Sequence, residues 1–228
     1  HYHANAAGIV MEGVGTAHNT LRNAMVWAGA ENAGNRGPGL HIRGGASDNV
    51  VVALCRFEYN QGDGILIEGA GTSRNMVGEP DTRWNQGAGL VIRGPGAEAN
   101  VGDGVMAFGC QGPGVVIADG ALGTELTRVD IRECAGGGLR IDGVTKTWGG
   151  EEERTALATV SGLEVRNPQT PPAGEPREVP VCGVALLGGT SDVRVTDVDC
   201  YDGECGVFVG GVETTRNRLE DVNVDTPS

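Results

Sequence analysis

One string recurs along this chain at a nearly fixed interval, and that interval limits the folds open to it. RGPGLHIRG around Gly39, QGDGILIEG around Gly64, QGAGLVIRG around Gly89, QGPGVVIADG around Gly114 and AGGGLRIDG around Gly138 are copies of one motif, spaced 25, 25, 25 and 24 residues apart. Weaker copies lie at Gly8, Gly183 and Gly206. The first and third residues after the Gly are apolar in every copy, as in Leu40 and Ile42, Ile65 and Ile67, Leu90 and Ile92, while the second and fourth vary. That period of two predicts a short strand whose first and third side chains point inward. A second apolar stretch follows later in several repeats, as in Val129-Asp130-Ile131, Leu163-Glu164-Val165 and Val198-Asp199-Cys200. A propeller blade needs roughly 40–50 residues, and a leucine-rich repeat would show a helical half. Short strands joined by Gly and Asn turns fit neither, and predict one coil of a parallel β-solenoid per repeat.

The composition agrees. Hydrophobic residues make up 39% and charged residues 21%, the balance of a foldable chain. Aromatics are only 4%, so the core has to be filled by Val, Ile, Leu and Ala, and the 40 glycines fit turns that recur at fixed places. The net charge of −13 argues against nucleic acid and against an anionic membrane surface, both of which call for a basic stripe. No apolar run approaches the length of a membrane span. The chain opens on His1-Tyr2-His3 without a leader and reaches a repeat strand at Ile9, so the expectation is a mature chain or a piece of a longer one.

The Asn-Xaa-Gly-Xaa-Gly-Ile-Xaa-Ile pattern from Asn60 to Ile67, with Asn35 and Asn85 in the same place one repeat away, resembles the right-handed parallel β-helix repeat proteins of the pectate-lyase-like superfamily. The resemblance covers residues 5–225 or so. It implies an all-β, right-handed parallel β-helix of about eight coils, a single domain over 1–228 with insertions at 144–157 and 168–180. About activity it says little, since that superfamily holds lyases, hydrolases, epimerases, tailspikes and inert fibres. The paired-Asp motif of its hydrolases is missing here. So is the Asp-Pro-His-Glu string of its epimerases, to which Glu79-Pro80-Asp81 is the nearest approach.

Several columns follow from stacking the repeats. Asn35, Asn60 and Asn85 form one, read as an asparagine ladder in preference to a polar binding ridge. Cys110 and Cys134 continue it, and Cys182 matches Cys205. Neighbouring coils sit about 4.8 Å apart, within the Cα range of a disulfide. Disulfides and stacked thiols both satisfy this spacing, and the absence of Cys-Xaa-Xaa-Cys pairs argues against zinc. The fourth residues after the Gly, Glu12, Arg43, Glu68 and Arg93, alternate in sign as a ladder of exposed ion pairs. The second residues include Leu66, Val91 and Val116, an outward apolar stripe that would be costly if bare and is expected to be covered by a loop or by a neighbouring protomer, most simply through self-association. None of the histidines shares a repeat position that suggests a role, and His41 is assigned none.

Chemistry is expected on the later strand. Asp130, Glu164 and Asp199 align on the outside of successive coils, with Arg56 earlier in the same column and Arg132 and Arg166 two residues along. Carboxylates about 5 Å apart repel unless arginines or a cation offset them. They are therefore candidates both for a Ca²⁺ site and for the acid and nucleophile of glycosidic cleavage. The competing reading is surface ion pairing with Arg132 and Arg166. The one large departure from the repeat flanks this column: Gly138 to Gly183 spans 45 residues. Its first insertion carries Lys146 and Trp148, candidate sugar contacts together with Arg132 and Arg166. The expectation is an extracellular or cell-surface domain that binds or processes a polysaccharide, the alternative being a non-catalytic scaffold such as a fibre, adhesin or tailspike segment.

Overall fold

The computed structural model describes residues 5–27, 34–143, 157–169 and 180–225, together with the backbone of 147–148 and 151–152. The chain folds as a right-handed parallel β-helix. The strands that open the coils, from Ile9–Glu12 through Leu40–Arg43, Ile65–Glu68, Leu90–Arg93, Val115–Ala118, Leu139–Ile141 and Cys182–Leu186 to Cys205–Val209, stack in chain order into an 8-stranded sheet. Their register follows the repeat: Leu40 pairs with Ile65, Ile65 with Leu90, Leu90 with Val115, Val115 with Leu139 and Leu139 with Val184. The second sheet holds the rest of each coil. In the earlier coils it is made of two short strands, such as Met76–Gly78 and Asp81–Arg83, or Val101–Asp103 and Met106–Phe108. In the later coils the two fuse into strands of 8 residues, Glu125–Arg132, Thr159–Arg166, Arg194–Tyr201 and Arg218–Asp225.

Alternation decides which side chains fill the tube. Leu40, Ile42, Ile65, Ile67, Leu90 and Ile92 are fully buried, and the second sheet adds Val51, Val77, Leu126, Val160 and Val195. Phe57 is the largest side chain in the interior, so the core is aliphatic as the composition required. The Gly before each opening strand is there because the coil is narrow: a Cβ on Gly64 would lie 2.6 Å from the carbonyl oxygen of Gly89 and 2.8 Å from Cβ of Thr82.

Two columns of buried amides tie the turns. In the expected one, the Asn35 amide donates to Asn60 and that of Asn60 to Asn85, each at 2.9 Å. The Asn85 amide closes on the carbonyl of Phe57 at 2.9 Å. This is the ladder reading of the column. A second ladder runs through Asn19, Asn49, Asn75 and Asn100, with amide-to-amide distances of 2.9, 3.0 and 3.1 Å. The sequence reading passed over it, although each of these residues stands just before the second strand of its coil. Cys110 and Cys134 extend the first column. All six cysteines are free, so the structure takes the thiol alternative.

The apolar stripe is not bare. Leu66 and Val91 are each 5% exposed and form a small cluster with Ala88, against which the half-buried Val116 packs. Parallel stacking lays each of these side chains on its neighbour one coil away, and Ala88 adds cover from the turn. The apolar surface that motivated self-association through Leu66, Val91 and Val116 is already covered within one chain.

Candidate functional site

The later strands of the coils build a continuous outer wall. Its first row reads Arg56, Asp81, Met106, Asp130, Glu164, Asp199 and Asn223, each paired in register with the next. Two residues along, pointing to the same side, stand Glu58, Arg83, Phe108, Arg132, Arg166 and Tyr201. The predicted carboxylates Asp130, Glu164 and Asp199 therefore do occupy adjacent positions on the outside. They are not left to repel one another. Arg132 donates through Nε and Nη2 to the two oxygens of Asp130 at 2.8 and 2.7 Å, and Arg166, from its own strand, donates through Nε and Nη2 to the single oxygen Oε1 of Glu164. Asp199 has Tyr201 where an arginine would stand, and accepts a 3.2 Å hydrogen bond from the Asn223 amide. Arg166 instead lies over the Tyr201 ring, 5.5 Å from its centroid.

This donor set does not fit a divalent cation. Both oxygens of Asp130 and Oε1 of Glu164 are already bonded to guanidinium groups. Among the described residues, no group of three or more His, Cys, Asp or Glu side chains converges as metal ligands would. The expected ion pairs form, and a Ca²⁺ ion would compete with Arg132 and Arg166 for Asp130 and Glu164. Lys146 lies outside the described residues. Of Trp148 only the backbone is described, in the strand Thr147–Trp148 paired antiparallel with Glu151–Glu152.

The earlier coils carry a feature the sequence reading did not find. Tyr59 and Trp84 stack with ring centroids 4.9 Å apart, and Phe108 meets Trp84 edge-on at 5.7 Å. Arg83 reaches over Trp84, 5.9 Å from the ring centroid, while its Nε donates to Asp81. The backbone beneath these rings is unusual. Tyr59 and Trp84 have φ of 58° and 52°, and so does the whole column, through Gly109, Glu133, Asn167 and Asp202. Left-handed backbone costs an ordinary side chain about 1–2 kcal/mol and suits Gly, Asn and Asp. Tyr59 and Trp84 are bulky aromatics that bear that cost. Gly109 completes the platform by having no side chain: a Cβ there would lie 2.7 Å from Cδ1 of Trp84.

Trp84 is 38% exposed, and on the same wall Met25, Trp27 and Met106 are exposed at 63, 55 and 37%. The earlier half of the wall thus mixes exposed apolar and aromatic side chains with the charges of Arg56, Asp81, Glu58 and Arg83, and the later half is a grid of carboxylates and arginines. Paired in register with Arg83, Glu58 stands in the earlier half. Partial burial, and then the charge of Asp81, raise its pKa, with Arg56 and Arg83 pulling the other way. A sequence signal for the platform did exist, since Tyr59 and Trp84 each directly precede a ladder residue, Asn60 and Asn85. Aligned on the ladder, the two rings fall one coil apart.

The first sheet carries a furrow of about 380 Å³ between the turns at Gly44, Gly69 and Gly94, edged by Arg43, Glu68, Arg93 and Asp119. Its charges answer one another. Arg43 pairs with Glu12 at 2.9 Å, Arg93 with Glu68 at 2.9 Å, and His41 with the other oxygen of Glu68 at 2.8 Å. Burial raises the Glu68 pKa, but hydrogen bonds from Arg93 and His41 outweigh it and hold the carboxyl below its usual range. The alternating ladder is therefore real, and His41 is its nearly buried end-piece.

No protein-family model matches the chain, and no curated protein is similar to it in sequence. Solved structures do share its fold. The A-module of the mannuronan C-5 epimerase AlgE6 of Azotobacter vinelandii superposes with a TM-score of 0.67 at 15% identity, over 100% of this chain and 56% of that one. The A-module of AlgE4 from the same organism gives 0.57 at 13% identity, over 93% of this chain and 56% of the other. This chain spans about half the length of those modules, and at such identities the likeness is one of fold: a right-handed parallel β-helix.

Proposed function

We propose that this β-helix binds a polysaccharide along the outer wall, with the Tyr59–Trp84–Phe108 platform as its anchor. The observation that carries the reading is the pair of aromatic residues held in left-handed backbone beside exposed carboxylates and arginines. An indole face offers flat apolar area at little conformational cost, and it matches the apolar C–H face of a sugar ring. Asp130, Glu164, Asp199 and their arginines supply hydrogen-bonding groups one coil after another, a spacing suited to an extended chain. The fold's likeness to modules of enzymes named for mannuronan, a polysaccharide, points in the same direction. An extracellular or cell-surface location belongs to this reading.

Binding without catalysis is favoured over cleavage. A carboxylate bonded to an arginine two residues away on its own strand, as in Asp130 and Glu164, is occupied where a catalytic acid or nucleophile has to reach the glycosidic bond. This gives the scaffold alternative its own support, in a form where the wall holds a glycan and does no chemistry. A glycan array probed with the chain, with Trp84→Ala and with Asp199→Asn tests both. The expected outcome is binding that falls about tenfold or more in Trp84→Ala, the equivalent of about 1.4 kcal/mol. Binding indifferent to Trp84→Ala would overturn the platform, and turnover of a bound glycan that Asp199→Asn abolishes would overturn the non-catalytic reading.

A further inference from the structure

We infer that the glycan taken by this wall is uncharged, and that a polyuronate of the kind named by the chain's structural relatives is excluded. The inference rests on the wall being the glycan site and adds the substrate class. A surface built for uronic acids needs cations free to receive a carboxylate on successive sugars. Here the arginines are paired. Arg83 donates to Asp81, Arg132 to both oxygens of Asp130, and Arg166 to Glu164, in each case a carboxylate two residues earlier on its own strand. Arg56, the remaining arginine of the first row, lies 3.8 Å from Asp81. Each guanidinium thus has a carboxylate beside it before any ligand arrives, and a uronate that bonds the remaining N–H groups meets the charge of a carboxylate that the covalent chain holds in place.

The carboxylates, by contrast, are in surplus. Asp199 is hydrogen-bonded to the neutral Asn223 amide and to no guanidinium. Glu133 and Asp202 add exposed negative charge in the column that carries Trp84. The spacing of adjacent coils, about 4.8 Å, keeps these charges well inside a Debye length of about 8–10 Å, so salt in the cell does not hide one from the next. The whole chain reinforces the local field with a net charge of −13. A polyanion laid along the later coils meets repulsion from these unoffset carboxylates. A neutral polymer meets an aromatic face for its C–H surface and carboxylate acceptors for its hydroxyl protons.

The experiment is isothermal titration of the chain with mannohexaose, cellohexaose and hexamannuronate, each at low and at high salt, with Trp84→Ala and Trp84→Phe alongside. The expected result is binding of a neutral hexaose with an affinity that salt leaves unchanged, lost by about tenfold in Trp84→Ala and largely restored in Trp84→Phe. Hexamannuronate is expected to give no heat at low salt. Hexamannuronate binding that depends on Trp84 and weakens with salt would overturn the inference while leaving the wall as the glycan site. Binding of any of the three that ignores Trp84, or binding of none of them together with an empty glycan array, would overturn the wall itself. Circular dichroism of both variants separates lost binding from lost fold.

Discussion

The coils between Leu40 and Phe108 and those between Val115 and Tyr201 share one core and differ in how they are tied and what they present. In the earlier coils, buried amides run through both turn columns, and the second sheet is broken into strands of 3 residues. In the later coils the amide positions are taken by Cys110 and Cys134 in one column and by Thr124, Ala158 and Val193 in the other, while the strands run unbroken for 8 residues. An asparagine amide both donates and accepts, so it ties adjacent turns into a bonded stack. A thiol sulfur is only a weak substitute, although Cys110 still faces the backbone and side chain of Asn85. Where amides give way, longer strand pairing holds the coil. The two halves show that a β-helix turn can be fixed either from inside, by a ladder, or from beside, by extending the sheet. On the outer wall the stacked rings end at the same boundary, while charged pairs run through both halves.

The largest expected effect tests what the halves have in common. Ile92→Asp in the earlier half and Ile141→Asp in the later one each bury an unpaired carboxylate at a fully buried position, which costs several kcal/mol. Both should abolish soluble folded protein; survival of one alone would show that the halves do not share a core. The next effect separates them. Asn75→Ala removes an acceptor for Asn49 and a donor to Ala46 and Asn100, all buried, and should cost about 3 kcal/mol at about 1–3 kcal/mol per stranded group. One coil beyond the ladder, the Thr124 hydroxyl is buried without a partner. Thr124→Val should therefore be neutral or stabilising, by up to about 1 kcal/mol. Chemical denaturation of the two variants checks the contrast, and equal losses would erase it.

The smallest expected effect lies in the earlier half of the wall. The pKa of Glu58 is raised in the folded state, so folding disfavours its charged form. Its penalty is absent at pH below the unfolded value of 4.5 and grows as pH rises through the higher folded value. Glu58→Gln should give a small rise in Tm at neutral pH and none in acid. A loss of Tm at neutral pH would show that Arg56 and Arg83, and not burial, govern this carboxyl. Asp103 has the opposite sign. The Arg128 guanidinium, bonded to it, lowers its pKa to about 2, so its contribution is present at neutral pH and is lost as pH falls from about 3.8 towards about 2.

How much of this was legible beforehand varied with the kind of interaction. The opening strands, their register and the inward residues followed from spacing alone, because a coil repeats its geometry and the sequence repeats with it. The carboxylate column and its arginines were legible for the same reason: Asp130 and Arg132, or Glu164 and Arg166, meet within one strand. The second asparagine ladder was missed because it lies outside the loudest motif, and because the repeat shifts by a residue at Ala53 and Leu54, both in left-handed backbone. The aromatic platform was missed although Tyr59 and Trp84 keep the 25-residue interval, because ring stacking is a contact between side chains. Trp148 and Lys146 drew attention as loop residues, whereas the rings the structure stacks, Tyr59 and Trp84, sit at the end of a strand.

Alternation and interval by themselves determined that this chain is a parallel β-helix with an aliphatic core, since only apolar residues at every second position can line so narrow a tube. Only the tertiary structure decided what each outward residue meets. Exposure depends on neighbours a whole coil away, and so the stripe at Leu66 and Val91 turned out covered, while Trp84, one position before a buried asparagine, turned out open. The sign of the wall was decided there as well. The composition shows an excess of acid, but which carboxylates keep an arginine and which stand without one depends on side chains meeting across strands, as Asp130 does with Arg132 and Asp199 with Asn223.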